Sequence, residues 1–316
     1  MYTRYLLSAL VVGGIPLSRQ AHAHGFAGDH MFISTLLIDD PNVADEASLP
    51  TFSYLPQPAG SGPAPAVYGL GYELDKRITQ NFGFAINGGY NWLTQPGAKT
   101  ANGWNNLAVT LKYKPYVNAE HEFMLSVGVE RDFARTGANG SNGAALDNDD
   151  SSSTTPTIYF GKGFGDVPVG WLRPVALTGE LGYTIAEKKL KVDPVTGDPT
   201  NNGISNAWTG GLSLQYSMRY LSSQVTDYGL PTFVNRLTPV VELAWSSAAS
   251  KPTQDTTQYL WGIGVNYTAR TYAFGMEALI PGNRDSGSHL GVIAQFHLYF
   301  DDLFPHSLGK PIIEWL

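Results

Sequence analysis

Large apolar residues alternate with small or polar residues along much of this chain. The stretch Trp208–Tyr220, WTGGLSLQYSMRY, carries a large apolar residue or Gly at the even positions and small or polar residues at most odd ones. A period of two gives an extended strand one apolar face and one polar face. The pattern recurs along the chain, and it is typical of strands whose outer face meets lipid while the inner face lines a lumen.

Twelve such strands can be assigned from the alternation. They cover residues 49–56, 67–75, 79–93, 104–114, 123–133, 156–164, 172–187, 208–220, 241–245, 259–267, 272–280 and 289–300. The predicted fold class is therefore all-β, a transmembrane antiparallel up-and-down β-barrel of about 12 strands, with the barrel running from residue 49 to 300.

The lengths of the connections give a second test of a barrel. Outer loops are expected at 57–66, 94–103, 135–155, 188–205, 249–256 and 282–288, and short periplasmic turns at 75–78, 115–121, 165–171 and 269–272. The segment 221–236 breaks this rule, and it is either a long periplasmic connection or a missed hairpin. Six tryptophans fall at or near predicted strand ends, as in interfacial aromatic girdles. A soluble, secreted multi-sheet domain is the alternative.

The two ends of the chain lie outside the predicted barrel. Residues 1–23 predict a secretory signal peptide that ends at Ala21-His22-Ala23. Residues 24–48 are a periplasmic segment, a lumen plug or an extra strand, and the sequence does not choose among them. Residues 301–316 form a C-terminal tail, so the signal read by the barrel assembly machinery is expected inside the chain, at 295–300.

Composition narrows the cellular setting. A net charge of −7 argues against nucleic acid as a partner. The absence of cysteine excludes a lipoprotein anchor and suits an oxidising periplasm. The expected location is the bacterial outer membrane, and the expected partners are outer-membrane lipid, small-molecule solutes and the barrel assembly machinery.

Charged residues on the polar strand faces are the candidate lumen-lining set. It comprises Lys112, Lys114, Glu122, Glu130, Asp132, Glu180, Arg219, Glu242, Arg270, Glu277 and His297. If these side chains line open water, they set a mild cation preference. If they pair across strands, for example Arg219 with Glu242, they form a rigid network that fills the barrel. The sequence leaves both arrangements open.

No catalytic residue, metal site or cofactor is predicted. Neither His289, beside Ser288, nor His297 has an evident nucleophile with an orienting partner. The acidic stretch 137–155 lacks the spacing of an EF-hand and is assigned as a solvated loop. The mature start, with His24 and His30, offers Cu(II) ligands, but an adventitious affinity is favoured over a functional site.

Three stretches carry a resemblance to a known family. They are Leu74–Thr79 (LDKRIT), Tyr220–Pro231 (YLSSQVTDYGLP) followed by Pro239–Glu242 (PVVE), and Phe300–Pro311 (FDDLFPHSLGKP). In these residues the chain resembles the meta-pathway phenol-degradation family of outer-membrane barrels, which implies a pore for hydrophobic or aromatic compounds. We therefore predict a passive channel for small, hydrophobic or aromatic molecules. The alternatives are a non-conducting structural or adhesive barrel and, less favoured, a membrane lipid hydrolase.

Overall fold

The computed structural model describes residues 25–58, 64–137, 151–189, 191, 193, 195, 200–201, 204–249 and 257–314. The predicted signal peptide, His24 and most of the acidic loop 137–155 lie outside the described residues. Among the described residues, no helix is both long enough and apolar enough to cross a membrane.

The strands form one closed antiparallel barrel. A separate hairpin, β1 (Phe26–Ala27) and β2 (His30–Met31), precedes it. The barrel strands are β3 (Glu46–Pro56), β4 (Ala66–Arg77), β5 (Phe82–Thr94), β6 (Ala101–Trp104), β7 (Leu107–Asn118), β8 (Phe123–Phe133), β9 (Ser153–Gly163), β10 (Val175–Ala186), β11 (Ala207–Tyr216), β12 (Leu237–Ala248), β13 (Thr257–Thr268), β14 (Tyr272–Pro281) and β15 (Gly291–Tyr299). Neighbouring strands pair in sequence, and β15 pairs with β3 to close the sheet. Because β6 and β7 both pair with β5, they act as one interrupted strand, and the predicted 12-strand barrel is confirmed.

The two faces of the barrel differ as the alternation predicts. On β12, Val241 is 37% exposed while the next residue, Glu242, is 0% exposed. Exposed apolar side chains cover the outside of every quarter of the barrel, and examples are Phe52, Tyr68, Leu70, Leu111, Val127, Ile158, Leu181, Leu212, Ile263 and Phe274. An apolar exterior around a closed sheet is what a membrane-spanning barrel presents to lipid.

The end of the barrel with the connections 78–81, 119–122 and 269–271 is the periplasmic end, because periplasmic turns are the short ones. The exception predicted at 221–236 is a genuine connection at this end and not a missed hairpin. It contains a π-helical turn (Leu221–Val225) and the helix α2 (Thr232–Asn235). The preceding strand ends at Tyr216, earlier than predicted, because the Ser217 hydroxyl accepts a hydrogen bond from the Tyr220 N–H and caps the helix α1 (Met218–Tyr220).

Residues 32–42, which we call the inner segment, run inside the barrel. The chain enters at the periplasmic end, where His30 contacts Glu122 in the turn before β8. It reaches the middle of the wall, where Leu36 and Leu37 meet Glu242 of β12. It then returns to the periplasmic end to begin β3 at Glu46. Both ends of the inner segment are thus fixed at the same end of the barrel.

The C-terminal residues fold back against the periplasmic end of β4. A short helix, α3 (Phe300–Leu303), follows β15, and the Ile313 N–H donates to the Ile78 carbonyl at 3.1 Å. The Lys76 ammonium donates to the carbonyls of Leu308 and Lys310 at 2.8 and 2.6 Å. The tail is therefore part of the folded unit.

Candidate functional site

Inward-facing carboxylates of the wall hold the backbone of the inner segment. Glu242 Oε2 accepts from the N–H groups of Leu36 and Leu37, at 3.2 and 2.7 Å. Glu180 Oε2 accepts from the Asp39 N–H at 3.3 Å. A buried backbone N–H group needs a hydrogen-bond acceptor, and these wall carboxylates supply one for Leu36, Leu37 and Asp39. Two predicted lumen residues therefore serve to position this segment.

Lysines of β7, on the opposite wall, bind the part of the inner segment that returns to the periplasmic end. Lys112 Nζ lies 2.6 Å from Asp39 Oδ2 and donates to the Asp40 carbonyl at 3.0 Å. Lys114 Nζ donates to Asn42 Oδ1 at 2.8 Å. The Lys112–Asp39 pair joins the wall to the inner segment and not one strand to the next, and the suggested Arg219–Glu242 pair does not form.

Glycines in the wall make room for the apolar side chains of the inner segment. A Cβ atom on Gly275 would lie 2.7 Å from Leu36 Cδ1, and a Cβ on Gly211 would collide with Ile38 Cγ2. Real Cβ atoms do not approach this closely, so a larger residue at either position would force the Leu36 or Ile38 side chain to move. The inward-facing Gly211 of β11 and Gly275 of β14 therefore leave the space that the Ile38 and Leu36 side chains occupy.

A polar cavity remains beside the inner segment. Its volume is about 410 Å³, and it extends along the wall formed by β15, β3, β4, β5, β7 and β8. A smaller cavity of about 190 Å³ lies next to it and shares Asp39, Glu73 and Glu130 as lining residues. The barrel interior is therefore neither packed solid nor fully open.

Acidic side chains dominate the lining of the larger cavity. They are Asp39, Asp40, Glu46, Glu73, Asp75, Glu130 and Asp132, against Lys112 and His297. The strand pattern predicts Glu130 and Asp132 as lining residues but not the other five. Glu73 and Asp75 alternate with apolar residues of β4 and were identifiable from the period. Asp39, Asp40 and Glu46 were not, because their position depends on the path of the inner segment.

Glu130 and Asp132 accept weak hydrogen bonds from wall side chains. Glu130 Oε2 accepts from Asn87 Nδ2 at 3.4 Å and from Thr110 Oγ1 at 3.3 Å. Asp132 Oδ1 accepts from Asn106 Nδ2 at 3.4 Å. No ion pair with a cation is found for Glu130 among the described residues, so its negative charge faces the cavity.

Glu277 is a buried carboxylate beside Glu242. Its side chain is 2% exposed, and neither carboxylate oxygen has a hydrogen-bond partner among the described residues. The two carboxylates add to the acidic character of the interior. In the described part of the chain, no group of three His, Cys, Asp or Glu residues is arranged to hold a metal ion.

His297 links the inner segment to β3. Its Nδ1 lies 2.8 Å from the Ser48 hydroxyl, and its Nε2 lies 3.0 Å from Glu46 Oε2 and 3.4 Å from the Ser34 hydroxyl. The sequence alone does not show these partners of His297, because Ser48 and Glu46 are distant from it in sequence. In serine hydrolases a carboxylate meets Nδ1, whereas here the Glu46 carboxylate meets Nε2 and the Ser48 hydroxyl meets Nδ1. The cluster therefore tethers Ser34 to the wall.

Glu122, predicted to line the lumen, instead anchors the N-terminal hairpin at the periplasmic end. Its carboxylate lies 3.4 Å from His30 Nδ1 and accepts hydrogen bonds from the Gly165 N–H at 2.8 Å and the Tyr220 hydroxyl at 2.9 Å. His30 is buried between the rings of Phe32 and Tyr220. Burial acts to raise the pKa of Glu122, but the adjacent His30 ring and the hydrogen bonds from the Gly165 N–H and the Tyr220 hydroxyl outweigh it and hold this pKa below its usual value.

We expect this anchor to make stability depend on pH. A carboxyl whose pKa is lower when folded stabilises the protein fully above its unfolded pKa of about 4.3, and that stabilisation is lost as the pH falls through the folded pKa. Urea unfolding of the refolded barrel between pH 3 and 7 should show this loss in the wild type and a flatter profile in Glu122→Gln. The neighbouring exposed Glu120→Gln should keep the wild-type profile. Identical profiles for wild type and Glu122→Gln would rule out a contribution from this anchor.

Arg219 and Arg270 do not line the lumen, in contrast to the prediction. Arg219 lies in α1 and Arg270 in the turn between β13 and β14, because both strands end before these positions. Both side chains border a third cavity, of about 520 Å³, at the periplasmic end. We call this cavity the vestibule.

Comparisons with known proteins bear on the fold. No family model and no curated protein matches the chain. Among solved structures, an outer membrane channel from Pseudomonas putida F1 is similar, with 10% identity, a TM-score of 0.55, and coverage of 81% of this chain and 96% of that one. The NanC porin is also similar, with 10% identity, a TM-score of 0.47, and coverage of 80% and 98%. The first match and the closed barrel show that this chain has the fold of a bacterial outer-membrane β-barrel, and its apolar exterior places it in that membrane.

Proposed function

We propose that this protein is a passive channel for small solutes across the bacterial outer membrane. The observation that carries the proposal is the cavity of about 410 Å³ that extends along one wall inside a closed barrel. A purely structural barrel of this size would fill its interior with side chains that pair across strands. Here the wall charges hold the inner segment on one side and leave a polar space on the other.

The charge of the cavity favours cations and small polar molecules. Seven carboxylates face Lys112 and His297 in the lining. Rings of carboxylates raise the local concentration of cations and repel anions, and the effect is strongest in a narrow, low-dielectric passage. The aromatic or hydrophobic cargo implied by the family resemblance remains a prediction, which the polar lining does not favour.

Export and assembly complete the proposal. Residues 1–23 would direct the chain to the periplasm, and the mature barrel would be inserted by the barrel assembly machinery. We expect that machinery to read the last strand, Gly291–Tyr299, because α3 and the tail follow it. The inner segment would act as a plug that limits the size of the solutes.

Ion selectivity of the refolded protein in a planar bilayer tests the channel. Under a KCl gradient we expect discrete conductance steps and a reversal potential that shows cation preference. Replacing Glu130 and Asp132 with Gln and Asn should move the reversal potential toward zero, because both carboxylates line the cavity. The matched control, Asp285→Asn in an outer loop, should leave it unchanged.

The same measurement separates the alternatives. Silence from a barrel shown to be folded by its heat-modifiable gel mobility would reject the channel and favour a structural or adhesive barrel. Phenol and other small aromatics, added as blockers, test the cargo implied by the resemblance. Interruption of the steps by these compounds would support an aromatic solute, and unaffected steps would reject it.

A further inference from the structure

Three arginines line the vestibule, although the net charge of the protein is −7. Arg219, Arg236 and Arg270 all border this cavity, and Asp302 is the only carboxylate among its described lining residues. The three arginines come from different elements, namely α1, the end of α2 and the turn after β13. The three arginines are therefore not consecutive charges on one surface strand. The fold brings them together from separate elements.

The vestibule lies inside the ring of strand ends rather than against lipid. Thr268, the last residue of β13, lines it, and this residue shares the inward face of β13 with the buried Asn266. The helix α2 closes the outer side. Phe233 stacks on the outward Tyr267 with ring centroids 5.3 Å apart, while Thr232 and Asn235 face the vestibule. A ligand in this cavity would therefore come from water and not from the bilayer.

The guanidinium groups are only partly occupied by partners within the protein. Arg236 Nη1 donates to the Tyr267 hydroxyl at 3.2 Å. Arg270 Nε lies 3.5 Å from Asp302 Oδ1, and the Arg270 side chain is 83% exposed. Among the described residues, no hydrogen bond or ion pair involves the Arg219 guanidinium. Each guanidinium carries five N–H donors, so most of the donors face the cavity or solvent.

We propose that the vestibule is a binding site for a small, water-soluble molecule that carries a phosphate or carboxylate group. Arginine is suited to this role because its planar fork binds either oxyanion through two parallel hydrogen bonds. A volume of about 520 Å³ fits a small metabolite, and Phe26 and Met31 of the N-terminal hairpin provide an apolar contact for its remaining part. The site goes beyond the proposed channel and does not depend on conduction.

The vestibule and the acidic cavity have opposite charges. An anion held by the three arginines would meet the carboxylates beside the inner segment if it moved further into the barrel. The field therefore retains an oxyanion at the periplasmic mouth. The three arginines thus define a site at which an anion stops, and the acidic cavity defines the passage that cations use.

Calorimetric titration with inorganic phosphate tests the site. The full-length mature protein is refolded in non-ionic detergent without phospholipid, in a buffer free of other oxyanions. We expect saturable binding by the wild type, about tenfold weaker binding by each of Arg219→Gln, Arg236→Gln and Arg270→Gln, and none by the triple variant. Arg284→Gln, in the outer loop after β14, removes the same charge elsewhere and should bind phosphate as the wild type does.

Two outcomes of this titration would contradict the proposed binding site. A second titration, in the presence of phospholipid, distinguishes a soluble ligand from a lipid headgroup. Absence of saturable binding by the wild type, or binding by the triple variant equal to wild type, contradicts the proposal. The titration is then repeated in nanodiscs of phosphatidylglycerol and of phosphatidylcholine. Equal phosphate binding in both supports a soluble ligand. Loss of phosphate binding only in phosphatidylglycerol assigns the site to a lipid phosphate and overturns the soluble ligand.

Discussion

Replacing residues 34–40 with a Gly-Ser linker of equal length is expected to raise the single-channel conductance several-fold. The change removes the side chains of Leu36, Leu37 and Ile38, which pack against the glycine-rich wall, and the Asp39 carboxylate that pairs with Lys112. Ile38 is buried, and Leu36 and Leu37 are half-buried. Because full burial of a Leu or Ile side chain contributes about 1.5–3 kcal/mol, the linker would lose most of the attraction that keeps the segment against the wall. Conductance of the refolded variant in a planar bilayer gives the result.

The control for this variant is a Gly-Ser replacement of the outer loop 282–288, which has the same length and does not contact the inner segment. We expect it to conduct as the wild type does. If the variant of the inner segment also conducts as the wild type does, residues 34–40 do not limit the passage, and the role of a plug is rejected.

A disulfide between the inner segment and the wall is expected to lower the conductance, which is the opposite of the effect of the linker. The chain contains no cysteine, so Ile38→Cys with Gly211→Cys adds the only pair. A Cβ on Gly211 would lie 3.3 Å from the Cβ of Ile38, close to the spacing of about 3.5–4.5 Å found in disulfides. We expect the oxidised protein to conduct less than the reduced one, because the bond holds the segment against β11. Equal conductance in both states would show that the segment stays in place without the bond.

The barrel could be predicted from the sequence because its signal is local. Each strand carries its own period of two, and β11 shows it in Leu212, Ser213, Leu214 and Gln215. The period of two does not fix the strand ends, because they depend on capping. The strand β11 ends before Arg219 because Ser217 caps α1, and the alternation of residues in the strand does not indicate this end.

The inner segment could not be predicted because its partners are far away in sequence. Leu36 and Leu37 depend on Glu242, more than two hundred residues later. The apolar run 31–38 fits a lumen plug, a periplasmic segment or an extra strand equally well. The missed acidic lining follows from the same cause, since Asp39 and Asp40 face the cavity only when the segment lies inside the barrel.

Two of the three stretches that carry the family resemblance meet in the structure. Lys76 and Arg77 of LDKRIT contact Asp301, Leu308 and Lys310 of the C-terminal stretch. In the second stretch, Tyr220 donates to Glu122, which anchors the N-terminal hairpin, and Glu242 of the PVVE sequence that follows it holds the inner segment. These residues thus connect the wall, the inner segment and the tail, which gives the motifs a structural role whatever solute the barrel admits.

The second large effect is expected from Asp45→Ala, at the point where the inner segment returns to the wall. The Asp45 carboxylate is fully buried and accepts from Lys76 Nζ at 2.6 Å and from the N–H and Nε of Arg77, both at 2.8 Å. Removing one partner of a buried ion pair leaves the other charge uncompensated and costs about 3–5 kcal/mol. Urea unfolding, followed by the shift in gel mobility between folded and unfolded barrel, measures the loss.

Three further variants decide whether the ion pair causes this loss. Asp285→Ala removes an exposed carboxylate from an outer loop and should change stability by less than about 0.5 kcal/mol. Arg77→Met should itself be destabilising, because it leaves Asp45 with one cation fewer and removes the contact of Arg77 with Asp301. The double variant, Asp45→Ala with Arg77→Met, should lose less than the sum of the two single losses, because neither charge is then left without its partner. If the two single losses add, Asp45 and Arg77 stabilise the protein independently, and the ion pair between them is not the cause of the loss.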